Sequence, residues 1–499
     1  MLVQDFRYAL RLLRRSPGFT VLTVLILALG IGANTSIFSV VSAVFIKPLP
    51  FAEPDRLVLL WEDWTSTGGT SRVTVAPANY VDWKARSRSF QDMALFSGLA
   101  QYTLTGGGEP EQVAAMRATG NLFSVLRVTP ILGRTFSPDD EGPEATPVAV
   151  IGQALWVHRF GSDPAIVGRD IVLDNVKHTV IGVVPSGFNY PNKDVEIYVP
   201  ASFTPQELAE RNNHALWVVA RLEPGVTIAQ AQAEMTSVAK RMADDYPETN
   251  ANIGAAVAPL RAELARGADL LGDSDVRGAL FVLLGAVAAV LLITCANVAN
   301  LLLARGAARR KEMAVRQALG ANRTRVLRQL LTESAVLAGL GLAGGIALAA
   351  ASMGYLSRLI PGTLPNGTAP SLDLTVLGFT SAITLLTVLL FGMGPALAAA
   401  RVDFSEAVKR SLGRGAGSGR TIAGNALVVG EIALTVVLLA AVGLLLRSYA
   451  GLLAVDPGFR SDHLLIAETL PSAKYGDAAS RNAFYAAVLE RTRALPGVS

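Results

Sequence analysis

Hydrophobic positions in this chain fall into two regimes. Five unbroken apolar runs, Phe19–Phe45, Ala279–Leu303, Ala335–Leu359, Leu374–Ala400 and Ala426–Leu446, each reach the roughly 20 residues needed to cross a bilayer. Between the first and second runs the pattern changes to short apolar stretches punctuated by Pro, Gly and polar turns. There, Arg56–Trp61, Val148–Ile151, Ile171–Leu173, Thr179–Val184, Ile197–Val199 and Trp217–Leu222 read as strands, with Asp174 and Asn175 forming the polar turn of one hairpin. Ala78–Arg86, Gly152–Phe160 and Ile228–Asp244 read as helices, the last capped by Thr227. The pattern predicts a polytopic α-helical membrane protein with a large extracytoplasmic α+β domain of two subdomains.

The flanking charges orient the spans. Arg7, Arg11, Arg14 and Arg15 precede the first run, and Arg305, Arg309, Arg310, Lys311, Arg316, Arg323, Arg325 and Arg328 separate the second from the third. Arg401, Lys409, Arg410, Arg414 and Arg420 separate the fourth from the fifth, whereas residues 360–373 hold neither Lys nor Arg. Positive residues stay on the cytoplasmic side. The expected plan is an amphipathic cytoplasmic segment (1–18), a span (19–45), the outer domain (46–275) and a span (276–304). A cytoplasmic coupling segment (305–328), a span (329–359), a short outer loop (360–373) and a span (374–400) follow. A glycine-rich cytoplasmic linker (401–422), a span (423–447) and the start of a second outer domain (448–499) complete it. The first run is too long for a signal-peptide core of about 7–15 residues, so it reads as an uncleaved anchor.

Composition agrees with a membrane location: 51% of the 499 residues are hydrophobic and 17% charged, against about 25% charged in ordinary soluble domains. A net charge of +4 without a basic polar domain gives no sign of a nucleic-acid partner. The single Cys295 excludes an intrachain disulfide framework, and the four scattered histidines lack metal-ligand spacing. Asp139, Asp140 and Glu141 form an acidic turn, read as solvated, with a calcium site as the alternative. Gly413–Thr421 is glycine-rich but lacks the lysine of a phosphate-binding loop, so no cofactor and no ATPase activity are expected of this chain. Glu431, an ionisable residue inside the fifth run, is a candidate for function or helix pairing. Neither a catalytic triad nor a metal set supports a membrane-anchored enzyme.

The cytoplasmic segment carries the sharpest motif. Arg310–Leu319 reads as a short helix stopped by Gly320, with Ala314 and Ala318, and Val315 and Leu319, forming a small apolar face ringed by charge. This stretch, Arg310-Lys311-Glu312-Met313-Ala314-Val315-Arg316-Gln317-Ala318-Leu319-Gly320-Ala321, runs on to Leu330-Leu331-Thr332-Glu333-Ser334. It resembles the cytoplasmic signature of FtsX/MacB-type ABC transporter permeases. Gly133–Phe136, Trp156 with Arg159–Gly161, Val167–Arg169 and Val180–Val183 resemble the MacB-like periplasmic core. Arg14–Thr20, Ala28–Asn34 and Pro48–Phe51 resemble the acidobacterial duplicated orphan permeases.

The resemblance implies a membrane permease subunit in the bacterial inner membrane, coupling a separate cytoplasmic ABC ATPase, which uses the ATP, to movements of the periplasmic domain. The docking residues it implies are Arg310, Glu312, Met313, Ala314, Val315, Arg316, Ala318, Leu319 and Gly320. Implied partners are that ATPase, the lipid bilayer and periplasmic or outer-membrane proteins, with a homodimer or a pseudo-dimer with a second repeat as the assembly. Because that subgroup carries two copies of span, outer domain and bundle, the resemblance implies a truncated second half here. The alternative is a non-transporting scaffold or sensor whose periplasmic domain binds a ligand or an envelope enzyme.

The docking reading makes a directional prediction. Ala318→Asp places a charge on a face that docking would desolvate, which is costly, so it abolishes capture of the ATPase. Arg323→Ala, beyond Gly320, removes only an exposed charge worth about 0–1 kcal/mol and leaves capture largely intact. Pull-down of the ATPase by each variant at equal membrane levels checks this; unchanged capture by Ala318→Asp refutes it.

Overall fold

In this computed structural model the described residues are 2–264, 276–308, 323–359, 370–400, 422–455 and 478–496, except 107, 143, 189, 192 and 193. They form two compact units: one built on Met1–Lys47 with most of the chain from Asp275 onward, the other on Pro48–Ser274. In chain order the helices that matter here are α1 (Leu2–Arg14), α2 (Pro17–Val41), α3 (Pro77–Arg86), α4 (Leu122–Leu126) and α5 (Gln153–Phe160). After these come α6 (Ile228–Asp245), α7 (Val276–Ala308), α8 (Arg323–Leu359), α9 (Leu374–Ala400) and α10 (Ile422–Leu453).

Among the described residues the helical unit has four helices long and apolar enough to cross a membrane, over Pro17–Ile46, Leu280–Leu302, Leu331–Tyr355 and Val428–Leu453. The fourth apolar run of the sequence is the 27-residue helix α9, whose described apolar stretch is Leu374–Leu389. α2 lies at the centre, and small residues explain how. A Cβ on Gly30 would sit 2.8 Å from Thr294 Oγ1, and one on Gly32 3.1 Å from the Gly345 carbonyl, so α7 and α8 approach α2 closely only where side chains are missing. The run Ala28–Asn34 is thus a packing surface. Asn34 adds a polar tie: its amide donates to the Gly30 carbonyl at 2.9 Å and to the Val287 carbonyl at 2.8 Å. Thr35 and Thr380 hydroxyls meet at 3.0 Å, and those of Ser36 and Ser352 at 2.9 Å.

The second unit is one mixed sheet of ten strands: β1 (Leu57–Asp63), β2 (Phe90–Thr105), β3 (Glu111–Ala118), β4 (Leu132–Gly133), β5 (Val148–Gly152), β6 (Asp170–Leu173), β7 (Val176–Val184), β8 (Ile197–Pro200), β9 (Leu216–Leu222) and β10 (Gly254–Pro259). Its order is β10-β1-β9-β2-β3-β8-β5-β7-β4, with β6 pairing β2 and β7. β3–β8 and β5–β7 are parallel; the other pairs are antiparallel. The two α+β parts share this sheet. Around β1, β9 and β2 the core is covered by α6, which buries Ala231, Met235, Val238, Ala239 and Met242 at helical spacing. Around β5, β7 and β8 it is covered by α5 through Leu155 and Phe160. A third cluster, rich in aromatics such as Phe96, Phe123, Tyr198 and Trp217, runs along both parts.

The six expected strands and three expected helices all form. Asp174 and Asn175 take the left-handed conformation (φ 46° and 67°) that a tight hairpin turn requires. Thr227 caps α6 reciprocally, its hydroxyl accepting from the Gln230 N–H while the Gln230 side chain accepts from the Thr227 N–H at 2.8 Å. The sequence reading missed β2, β3, β10 and the two-residue β4. β2 changes register between Phe96 and Leu99, which destroys the period-two signal. β3, Glu111–Ala118, has three alanines and only one β-branched residue, a composition that local propensity assigns poorly to strands.

The acidic turn is structural. Asp140 is buried and accepts from Arg134 Nη1 at 2.6 Å and Nη2 at 2.8 Å, from the Ser137 N–H at 2.8 Å and from its hydroxyl at 2.9 Å. Glu141 accepts from the Gly120 N–H. Asp140 and Glu141 thus turn to different partners. Arg134, followed by Ser137, holds Asp140 down to about 2. A depressed carboxyl contributes stability that is complete above its ordinary value near 3.8 and is lost as pH falls through about 2. Asp140→Asn therefore lowers the stability of this unit by about 1–2 kcal/mol at pH 6, and the gap to wild type narrows towards pH 2. All five tryptophans (Trp61, Trp64, Trp83, Trp156 and Trp217) lie in this unit, so thermal unfolding of the full chain followed by tryptophan fluorescence reads it selectively. A gap independent of pH contradicts the assignment.

Candidate functional site

Helix α1 is amphipathic: it buries Ala9 and Leu13 and leaves Arg7, Arg11 and Arg14 exposed. Its exposed face is basic and its buried face packs on the spans. α1 is tied to α2 by the Thr20 hydroxyl, which donates to the Leu13 carbonyl at 2.9 Å. It is tied to α8 by Asp5, whose carboxylate lies 2.8 Å from Arg328 Nε.

At this junction sits a buried ion pair. Glu333, 4% exposed, projects from α8, and Arg305 reaches it from the end of α7 with Nη1 3.1 Å from Oε1. The Arg305 Nη2 donates to the Ser16 hydroxyl at 2.7 Å, and its guanidinium carbon stands 4.3 Å from the Phe19 ring centroid. One side chain thereby ties the end of α7, the start of α8, the α1–α2 corner and the first aromatic residue of α2. A planar guanidinium suits this task because it bonds in its plane and stacks on its face. Arg305 and Glu333 also bracket, in sequence, the segment between α7 and α8. At the opposite end of the bundle Lys47, just past α2, pairs with Asp373 at 3.3 Å and donates to the Ser371 hydroxyl at 2.7 Å. Both ends of α2 are thus fixed by charge.

The docking residues expected from the sequence, Arg310, Glu312, Met313, Ala314, Val315, Arg316, Ala318, Leu319 and Gly320, lie outside the described residues, as does the glycine-rich 413–421. Glu431 stands half-buried on α10, its carbonyl accepting from the Thr435 hydroxyl at 2.8 Å. Among the described residues, Glu333 is a buried carboxylate on a candidate span and is paired with the part-buried Arg305. Sequence reasoning passed over it as part of the Leu330–Ser334 motif, although an isolated Glu in an apolar helix, with an arginine just before the preceding basic segment, is itself the signal.

With this geometry in place, the comparisons with known proteins align along the chain. The MacB-like periplasmic core domain matches residues 20–238, and the FtsX-like permease C-terminal domain matches residues 284–404. A pyoverdine export ATP-binding/permease protein of Pseudomonas aeruginosa PAO1 is 31% identical over 54% of this chain and 38% of its own length. A macrolide export ATP-binding/permease protein, MacB, of Azoarcus sp. BH72 is 28% identical over 81% of this chain and 58% of its own. The crystal structure of the periplasmic region of MacB from Actinobacillus actinomycetemcomitans aligns with a TM-score of 0.31 and 12% identity, covering 42% of this chain and 90% of that one. The chain spans about two fifths to three fifths of the length of the curated relatives it matches. It is a membrane protein with an extracytoplasmic α+β domain, and by its two domains in this order it belongs with the MacB/FtsX-type ABC permeases.

The joint yields a test by compensation. Arg305→Met leaves Glu333 buried without its guanidinium, which typically costs about 3–5 kcal/mol, whereas replacing both members by Met is close to neutral. Cys295, buried in α7 with Sγ 3.9 Å from the Thr387 hydroxyl, is a built-in reporter of bundle opening. Thiol labelling of Cys295 in detergent should accelerate strongly in Arg305→Met and return towards wild type in Arg305→Met/Glu333→Met. Equal labelling of all three proteins rules the joint out as a structural tie.

Proposed function

We propose that the chain is the membrane permease subunit of an ABC-type exporter or mechanotransmission system, and that a separate cytoplasmic ATPase supplies the energy. The observation that carries this reading is the Arg305–Glu333 joint, which ties the end of α7 and the start of α8 to the α1–α2 corner. α2 continues directly into the outer domain through Lys47–Arg56. Force applied by a partner at the basic segment passes through α7 and α8 to the joint, and from there into the helix from which the outer domain begins.

A further point supports the reading: both relatives named above are called ATP-binding/permease proteins of export systems. The chain itself hydrolyses no ATP in this reading; Arg310–Gly320 forms the docking helix, the N-terminus is cytoplasmic and the membrane is the bacterial inner membrane. Pyoverdine and macrolide export, the functions in the relatives' names, make small-molecule efflux the first cargo class to test.

The purified chain in nanodiscs should show ATPase activity at background, and a candidate ABC ATPase from the same cell should co-purify with it and hydrolyse ATP faster in its presence. Hydrolysis by the chain alone that disappears on mutating this chain contradicts the assignment, as does failure of every ABC ATPase of the cell to associate.

A further inference from the structure

Where the chain enters the outer domain, three arginines converge on one carboxylate oxygen. Glu53 Oε2 accepts from Arg56 Nη1 at 2.6 Å and from Arg127 Nη1 at 2.5 Å, and lies 3.8 Å from Arg221 Nη1. Gln91 Oε1 accepts from Arg56 Nη2 at 2.9 Å and from Arg127 Nη2 at 3.5 Å, holding the two outer guanidinia side by side. Arg221 is 2% exposed, an unusual burial for a charge, and is anchored from below by the Val125 carbonyl at 2.7 Å and the Ala52 carbonyl at 2.9 Å. Its Nη2 has no hydrogen-bond partner. One carboxylate against three guanidinia leaves two positive charges in excess at an open surface, since Glu53 and Arg127 are themselves exposed.

The backbone supports the arrangement. Glu53 and Arg127 are both held in the left-handed conformation, at φ 49° and 55°. Such conformations cost about 1–3 kcal/mol for a residue with a side chain and cluster at ligand sites. Burial, followed by the neighbouring Arg127 and Arg56, pushes Arg221 down to about 10. The cluster therefore carries a local positive potential that one Glu53 does not cancel. Nothing in the transport reading uses these residues, and no motif match singles them out.

We infer that Arg56, Arg127 and Arg221 form a binding site for a phosphate-type anion, and that the Glu53 carboxylate is a displaceable internal occupant of it. Planar guanidinia in a fork bind a tetrahedral oxyanion through paired N–H donors, and a dianion or phosphodiester offers more acceptors than the single carboxylate oxygen it displaces. The source is either a lipid headgroup or a free phosphate.

The full chain in neutral detergent is titrated with inorganic phosphate, with short-chain phosphatidylglycerol and with short-chain phosphatidylcholine, binding being read by isothermal calorimetry. Wild type binds phosphate or phosphatidylglycerol, more weakly as salt rises. Glu53→Gln, which removes the competitor at constant shape, tightens binding about fivefold or more; Arg127→Asn, which keeps a residue tolerant of the left-handed backbone, weakens it about tenfold. Preference for phosphatidylglycerol over inorganic phosphate identifies a headgroup site, and the reverse a free-anion site; both support the inference. Tryptophan fluorescence verifies that each variant's outer domain is folded. If no anion binds, or if Glu53→Gln binds no tighter than wild type, the cluster is an ordinary salt-bridge network and the inference falls.

Discussion

A carboxylate inside an apolar helix bundle must either lose its charge or find a counterion at a fixed place. Here Glu333 finds Arg305, 3.1 Å away, and the arrangement of the helical unit follows from that need. The guanidinium must come from the end of α7, so α7 and α8 are held together on either side of the segment that joins them. Its remaining donor and its face must also be occupied, and Ser16 and Phe19 occupy them. That requirement brings in the α1–α2 corner. A hydrophobic contact at the same place would hold the helices together but would not select this register; a buried charge has one low-energy position, which is the best-attested use of such pairs.

The same logic places the close helix approaches away from the joint. Thr294 and Gly345 meet α2 where Gly30 and Gly32 leave room. Packing of this kind is strong in van der Waals terms but weakly directional. The charged ties at the two ends, Arg305–Glu333 and Lys47–Asp373, give α2 defined termini. A helix tied at both ends and packed tightly between them is a stiff element, which is what the proposed mechanical link would use.

Much of this was legible in the chain. Apolar runs located the helices because lipid imposes a length, and turn residues located the strands because tight turns impose a backbone conformation. Asp174–Asn175 and the Thr227 cap are cases where local chemistry settles the structure by itself. What stayed hidden was what only the tertiary fold brings together. β2 lost its period at the register shift, and β3 is an alanine-rich strand held by its neighbours on both sides. Arg305 and Glu333 are 28 positions apart in sequence. The arginine cluster draws on Glu53 with Arg56, Gln91, Arg127 and Arg221 from four separate stretches, so no spacing rule could reveal it.

The two acidic features of the outer domain show how far composition misleads without partners. Asp139, Asp140 and Glu141 look like a ligand cluster, yet Asp140 is engaged by Arg134 and Ser137 and Glu141 accepts from a backbone amide. Glu53 looks like a lone surface residue, yet three cations compete for one of its oxygens. Counting carboxylates gives the opposite ranking from counting donors against acceptors. At the first site Asp140 is held by several donors at once, which is what a structural turn needs. The second is unbalanced by two charges, held by strained backbone and open to solvent, and an unbalanced site exchanges its occupant more readily than a balanced one.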